Sequence, residues 1–263
     1  MLRFTLSRIF VVAFALTAAG CVATQSPVIK RPSGETVPIR LDAHPLGKSG
    51  PVPTVIVAHG SGGVSAMHRA MASTLNDWGY NAVVIDHYTL RGISAPHAGV
   101  ALHGARGEDR ALDFIEAAHW IKRQDWHKGK IAVVGFSQGG GGVLALVNER
   151  TLKNLGYVTE ARPNPISVAV AFYPSCAITP PPMQPSMPTQ IHLAENDDLA
   201  YVSACGFGRN TPYQIHLYQG ATHSFDENIS AQAMLRFTHR YSQAATQESR
   251  VNLRRFLDAN IRQ

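Results

Sequence analysis

Ile131-Ala132-Val133-Val134-Gly135-Phe136-Ser137-Gln138-Gly139-Gly140 is the stretch on which the fold turns. A short apolar, β-branched run leads into G-x-S-x-G, and residues 141–147, glycine-rich and then apolar, suit a helix. Such a run bounded by turn residues fits a strand buried on both faces. Strand, sharp turn and helix start are the context in which the motif becomes a nucleophile elbow, with a serine hydroxyl lifted above the sheet on a strained turn. Gly135 and Gly139 let neighbouring backbone come close. The helix N-terminus beneath offers free N–H groups and partial positive charge to a developing oxyanion. Without chemistry, the same residues are a serine at a glycine-rich turn; the order of strand, motif and helix favours catalysis.

Similar units recur on both sides of the motif. Residues 53–58 (PTVIVA) are a near-continuous apolar run ending in His59-Gly60-Ser61-Gly62-Gly63, and residues 65–78 then have helical character. Residues 81–86 (NAVVID) predict the next strand, and a long loop with His87, Arg91, Pro96, His97 and His103 follows. Residues 108–123 carry Ala111, Leu112, Ile115, Ala118 and Ile121 on one helical stripe. Further strands are predicted at 167–173, 189–194 and 213–218, a C-terminal helix at 247–261, and a first edge strand at 37–41. Strands alternating with helices imply an α/β fold, a mostly parallel central sheet with helices on both faces. The prolines at 180–182, 185 and 188 mark a rigid connector, and there are no internal repeats.

The chain has 263 residues, enough for one large domain with a substantial core. Its 45% hydrophobic and 16% charged residues fit a globular protein. The net charge of +6 comes from scattered lysines and arginines. That balance mildly favours anionic surfaces, a solvated face being the simpler account. Basic and aromatic residues do not interleave as nucleic-acid binding would require.

Residues 1–8 are short and basic, and 9–19 form an apolar run of signal-peptide length. Residues 1–20 are therefore expected to be a signal peptide, residues 21–36 a polar tether, and residues 37–263 the folded domain. Ala18-Ala19-Gly20-Cys21 fits a lipoprotein signal with Cys21 as the lipidated residue; cleavage after Ala23 would instead release a soluble protein. Both outcomes place the chain in the bacterial cell envelope or periplasm. A lipid anchor at Cys21 would be its one membrane contact. Cys176 and Cys205 then remain as a pair, bridged or as two buried thiols, in an oxidising compartment.

A serine hydroxyl needs a base to take its proton and a third group to orient that base. The strand at 189–194 is followed by Glu195-Asn196-Asp197-Asp198, and the last strand by Gly220-Ala221-Thr222-His223-Ser224-Phe225. Ser137, an acid near 197 and His223 thus follow in the order Ser, acid, His, each after a strand. The N–H of Gln138 and one from the loop after residues 53–58, Ser61 or next to it Gly62, are the candidate oxyanion donors. Gly60-Ser61-Gly62 falls short of a dinucleotide fingerprint because Ser65 stands at the third glycine position. No phosphate-loop motif or H-E-x-x-H is present, so neither cofactor nor metal is expected. His87, Tyr88 and Arg91 are candidates for a substrate pocket, and Phe136, Tyr173 and Phe225 for an acyl pocket or for packing.

Over residues 40–261 the chain resembles the dienelactone hydrolase family of the α/β-hydrolase fold. HGSGG at 59–63, ID at 85–86 with RG at 91–92, GFSQGG at 135–140, AENDD at 194–198 and YQGATHSFD at 218–226 carry the resemblance. It implies Ser137 as nucleophile, Asp197 as acid and His223 as base. Glu195, Asp198 and Asp226 are then expected to be solvated or to shape their loops. The family's naming members have cysteine at the nucleophile position where this chain has serine, so the substrate stays open. A subset of the family has cysteines placed as Cys176 and Cys205 are, which implies a disulfide. The resemblance implies hydrolysis of a carboxylic ester or lactone as a small-molecule substrate, through an acyl-enzyme. A peptidase, an acyltransferase, or a non-catalytic envelope lipoprotein using the fold as a binding module remain alternatives.

Overall fold

Runs rich in valine and isoleucine, too short for helices, build the sheet. In the computed structural model, which describes residues 23–30, 34, 36–46, 51–93, 106–208, 210–228 and 238–262, the chain opens with β1 (Ala23–Gln25), β2 (Val28–Lys30), β3 (Thr36–Pro38) and β4 (Arg40–His44). The central part follows as β5 (Val52–Ala58), α1 (Ala66–Asp77), β6 (Asn81–Asp86), α2 (Gly107–Ile121), β7 (His127–Phe136) and α3 (Gln138–Leu146). The last part comprises α4 (Glu149–Asn154), β8 (Ile166–Phe172), β9 (Thr189–Ala194), β10 (Gln214–Tyr218) and α5 (Gln243–Ile261).

Eight strands form one sheet in the order β1-β4-β6-β5-β7-β8-β9-β10. From β6 to β10 all neighbours are parallel, and β4 runs antiparallel to both β6 and β1. Strand period two splits each run between two cores. Val55 and Val57 of β5 join Met67, Met71 and Leu75 of α1 and Leu253 and Phe256 of α5 on one face. Ile56 and Ala58 join Leu112 and Ile115 of α2 and Val143 and Leu144 of α3 on the other. Each of these valine, isoleucine, leucine, methionine and phenylalanine side chains stabilises the fold by about 1.5–3 kcal/mol relative to exposure. The fold is that of the α/β-hydrolases.

Several elements differ from the sequence reading. The expected first strand at 37–41 resolves into β3, which pairs with β2 in a separate two-stranded ribbon, and β4 in the main sheet. The outermost strand, β1, lies within the stretch expected to be a tether. Its Ala-Thr-Gln sequence has no apolar run, and it is held by pairing with β4 and by the Thr24 hydroxyl, which donates to Asp42 Oδ1 at 3.0 Å. The C-terminal helix begins four residues earlier than expected, where Ser242 Oγ accepts the Ala245 N–H at 3.3 Å as an N-cap. Cys21 and the signal segment, like Pro96, His97 and His103, lie outside the described residues. Cys176 and Cys205 form a disulfide, with Cα atoms 4.9 Å apart.

Candidate active site

β7 ends at Phe136, and Ser137 turns the chain into α3 with φ 52° and ψ −113°, a conformation L-residues rarely adopt. The turn is held because the Ser137 N–H donates to Phe172 O at 2.9 Å, tying it to the end of β8. A Cβ at Gly135 would stand 2.3 Å from Gly139 O, and one at Gly139 would stand 2.6 Å from Ala58 O. Only glycine lets the elbow close at these two points. A Cβ at Gly60 would stand 3.1 Å from Ser137 Cβ, so the HGSGG loop after β5 lies against the serine. Gln138 opens α3, where first-turn N–H groups have no partner within the helix. Ser61 follows Gly60 in the facing turn, which the Gly63 N–H closes onto Gly60 O.

β9 and β10 are paired, so the loops that follow them are neighbours. The Asn196 N–H donates to Ala221 O at 2.8 Å, and the Gly220 N–H donates to Glu195 Oε2 at 2.9 Å. Glu195 thereby fixes the loop. Asp197 Oδ1 accepts N–H bonds from Leu199 and Ala200 at 3.0 and 2.7 Å. Asp197 Oδ2 is left to accept from His223 Nδ1 at 2.7 Å. His223 Nε2 lies 2.9 Å from Ser137 Oγ, which donates to it when the ring is neutral. Asp198 is exposed, and hydrogen bonding to the Thr238 side chain, with the Thr238 N–H, holds its carboxyl below the usual range.

The Tyr173 ring meets the His223 ring edge-on at 4.8 Å between centroids. Its hydroxyl donates to Asp226 Oδ1 at 2.7 Å, and Arg250 approaches the other oxygen of that carboxylate. Tyr173 and Ser224 both have positive φ, at 35° and 56°, so strain gathers around the imidazole. Asp226 therefore shapes the histidine turn by holding the tyrosine. Phe136 and Phe225 pack in the same core as Tyr173.

His59 is fully buried and neutral, burial pushing its imidazole well below its ordinary value. Its Nδ1–H donates to Gly60 O at 2.6 Å, and its Nε2 accepts the His87 N–H at 3.1 Å, tying the loop after β5 to the end of β6. His87 Nδ1 donates to Asp113 Oδ2 at 2.6 Å, and Arg91 Nη2 donates to Asp113 Oδ1 at 2.7 Å. His87 and Arg91, candidates for a pocket, thus bind the framework under the site. The sequence reading missed Asp113 and Arg110. Two charges three residues apart on the buried side of α2 were the available signal. Among the described residues, no group of three or more His, Cys, Asp or Glu is placed to hold a metal ion.

Comparison with known proteins agrees with this fold. A carboxymethylenebutenolidase of Pseudomonas putida is 26% identical over 201 residues, covering 69% of this chain and 78% of the relative. Among solved structures, a dienelactone hydrolase-like promiscuous phosphotriesterase from metagenomic libraries superposes with a TM-score of 0.64 at 19% identity, covering 91% of this chain and 99% of that one. The dienelactone hydrolase of Anabaena variabilis gives 0.58 at 18% identity, covering 91% and 99%. The dienelactone hydrolase family model matches residues 41–260. With elbow, acid loop and histidine loop at the ends of their strands, and with most of its length matched, the chain belongs to the dienelactone hydrolase family and is a hydrolase of the α/β-hydrolase fold.

Proposed function

We propose that the protein is a serine hydrolase that cleaves a carboxylic ester or lactone through an acyl-enzyme, with Ser137 as nucleophile, His223 as base and Asp197 as the acid that orients it. The carrying observation is the continuous line Asp197 Oδ2, His223 Nδ1, His223 Nε2, Ser137 Oγ, with hydrogen bonds of 2.7 and 2.9 Å. Asp197 fixes the tautomer that leaves Nε2 free to accept the serine proton. Oγ attacks the carbonyl carbon as that proton moves to His223, and the C=O electron pair moves onto oxygen. Gln138 and Ser61 are the proposed N–H donors to this oxyanion, each worth about 10²–10³ in rate. Collapse breaks the bond to the alcohol oxygen, which leaves with the proton from His223. Water, deprotonated by the same imidazole, then attacks the acyl group and frees Ser137 and the acid.

Family membership supports hydrolysis of an ester or lactone. The alignment of the three side chains favours catalysis over a binding module, for which the line would have no use. The disulfide supports an exported protein in an oxidising compartment, in keeping with the signal-like N-terminus. The test is a fluorophosphonate probe on the oxidised protein beside Ser137→Ala and His223→Ala. Label mapped to Ser137 and lost in both variants is expected. A folded wild type that takes no label overturns the reading.

A further inference from the structure

Arg110 of α2 is fully buried, an expensive place for a charge, and the helix brings it there through a gap kept by glycine. A Cβ at Gly142 of α3 would stand 2.8 Å from Arg110 Cβ. From that position Nη1 donates to the carbonyl of His59 at 2.9 Å, at the start of the HGSGG loop. Nη2 donates to Gln138 Oε1 and to the Tyr88 hydroxyl, both at 2.7 Å. Tyr88 donates in turn to the same Gln138 oxygen at 2.6 Å, and its ring lies under the guanidinium, 5.2 Å from Cζ to centroid. One planar group therefore holds both walls proposed for the oxyanion hole: the loop that carries Ser61 and the residue that follows the nucleophile. Neither partner is chosen for charge. Besides the Tyr88 hydroxyl, the fork grips a neutral carbonyl at the start of the loop that carries Ser61 and a neutral amide on the residue that follows the nucleophile.

We propose that Arg110, seconded by Tyr88, is a positioning residue that sets the spacing between the N–H donors of Gln138 and Ser61. The inference rests on Ser137 being the nucleophile. A guanidinium suits the task because its N–H groups diverge in a rigid plane and reach two anchors at a fixed separation. A lysine in its place keeps the charge and reaches one anchor at a time.

The test uses the oxidised full-length protein with Arg110→Met, Arg110→Lys and Tyr88→Phe. An aliquot of each is labelled to completion with the fluorophosphonate to count competent serines, and the unlabelled remainder is assayed so that activity is expressed per competent serine. Turnover of p-nitrophenyl acetate and inhibition by a trifluoromethyl ketone, whose adduct places an oxyanion in the hole, are then compared. For Arg110→Met the expectation is a fall in kcat of about 10- to 100-fold, below the 10²–10³-fold of losing a donor outright. KM is expected to stay within about twofold, with ketone affinity falling in step with kcat, as befits an interaction made in the transition state. Arg110→Lys recovers part of both losses, and Tyr88→Phe loses less than either.

A merely structural arginine would lower the labelled fraction and leave kcat per labelled site and ketone affinity unchanged; that result overturns the proposal. If Arg110→Met does not fold, Arg110→Lys and Tyr88→Phe decide by the same two readouts. A wild type that takes no label overturns the nucleophile assignment itself, whereas a labelled wild type with insensitive variants overturns only the role of Arg110.

Discussion

Asp197 and Asp198 are adjacent and chemically alike, yet the fold gives them different work. Asp197 is buried with one oxygen on two backbone N–H groups and the other on His223, whereas Asp198 faces solvent and binds Thr238. Replacing Asp197 with asparagine keeps the shape and spoils the tautomer, so turnover is expected to fall by about 10⁴. Asp198→Asn is expected to stay within about threefold, since solvent screens an exposed carboxylate's pull on His223. Steady-state ester hydrolysis by the two variants checks the assignment. Ser137 and His223 were proposed from the sequence because each follows its own strand, whereas the choice of Asp197 over Glu195 and Asp198 came from the family resemblance. Tyr173, His59 and Asp113 were not legible in this way. Their side-chain hydrogen-bond partners described above lie at least 22 residues away, except for the Gly60 carbonyl beside His59, and meet only once the strand order is known.

Among the elements, α3 has the most demanding sequence. Gly139, Gly140 and Gly142 would drive a Cβ into β5 backbone, β8 backbone with Pro174, and α2 respectively. Gly141 is different, because a Cβ there would meet only Thr179, at 3.5 Å. The same substitution at neighbouring positions should therefore change sign. Gly139→Ala is expected to cost about 1–3 kcal/mol, as overpacking does, and to cut turnover by displacing the elbow. Gly141→Ala is expected to add about 0.4–1 kcal/mol by removing chain freedom from the unfolded state. Thermal unfolding of both variants gives the signs. The longer helices were legible in the sequence, as the buried Met67, Met71 and Leu75 of α1 illustrate, whereas the short α4 was not expected from it. The edge strand β1 was not legible, since it is fixed by pairing with the backbone of β4 and carries no pattern of its own, whereas β10 at the other edge was expected at 213–218.

At the scale of the whole molecule, acid should loosen the fold before it protonates carboxylates. His59, His68, His87 and His192 are buried and neutral, burial holding each below its ordinary 6.5 and His68 at about 3. Below about pH 6.5 the unfolded chain gains protons that the folded chain refuses, so stability is full above that value and falls as pH drops. Each ring contributes up to about 1.4 kcal/mol per pH unit. Denaturant midpoints measured from pH 7.5 to 4.5 are expected to decline across that window; a flat profile contradicts the neutral cluster. The disulfide links the exit of β8 to the acid side of the site, its cysteines standing 29 positions apart in sequence. On the chain-entropy account its loss in Cys176→Ala/Cys205→Ala costs about 3–4 kcal/mol, measurable by urea unfolding.

The crowding at the elbow also bears on how such a protein changes over generations. Three positions of α3 and Gly135 before it touch a different neighbour each, so none can vary unless that neighbour moves with it. Variation that alters what the site accepts is thereby channelled to segments beyond the strand ends, such as residues 180–187, which are exposed or half-buried. A lineage with this architecture diversifies at its rim while its centre stays frozen, and a combinatorial library laid over positions 135–142 would return little besides the parent.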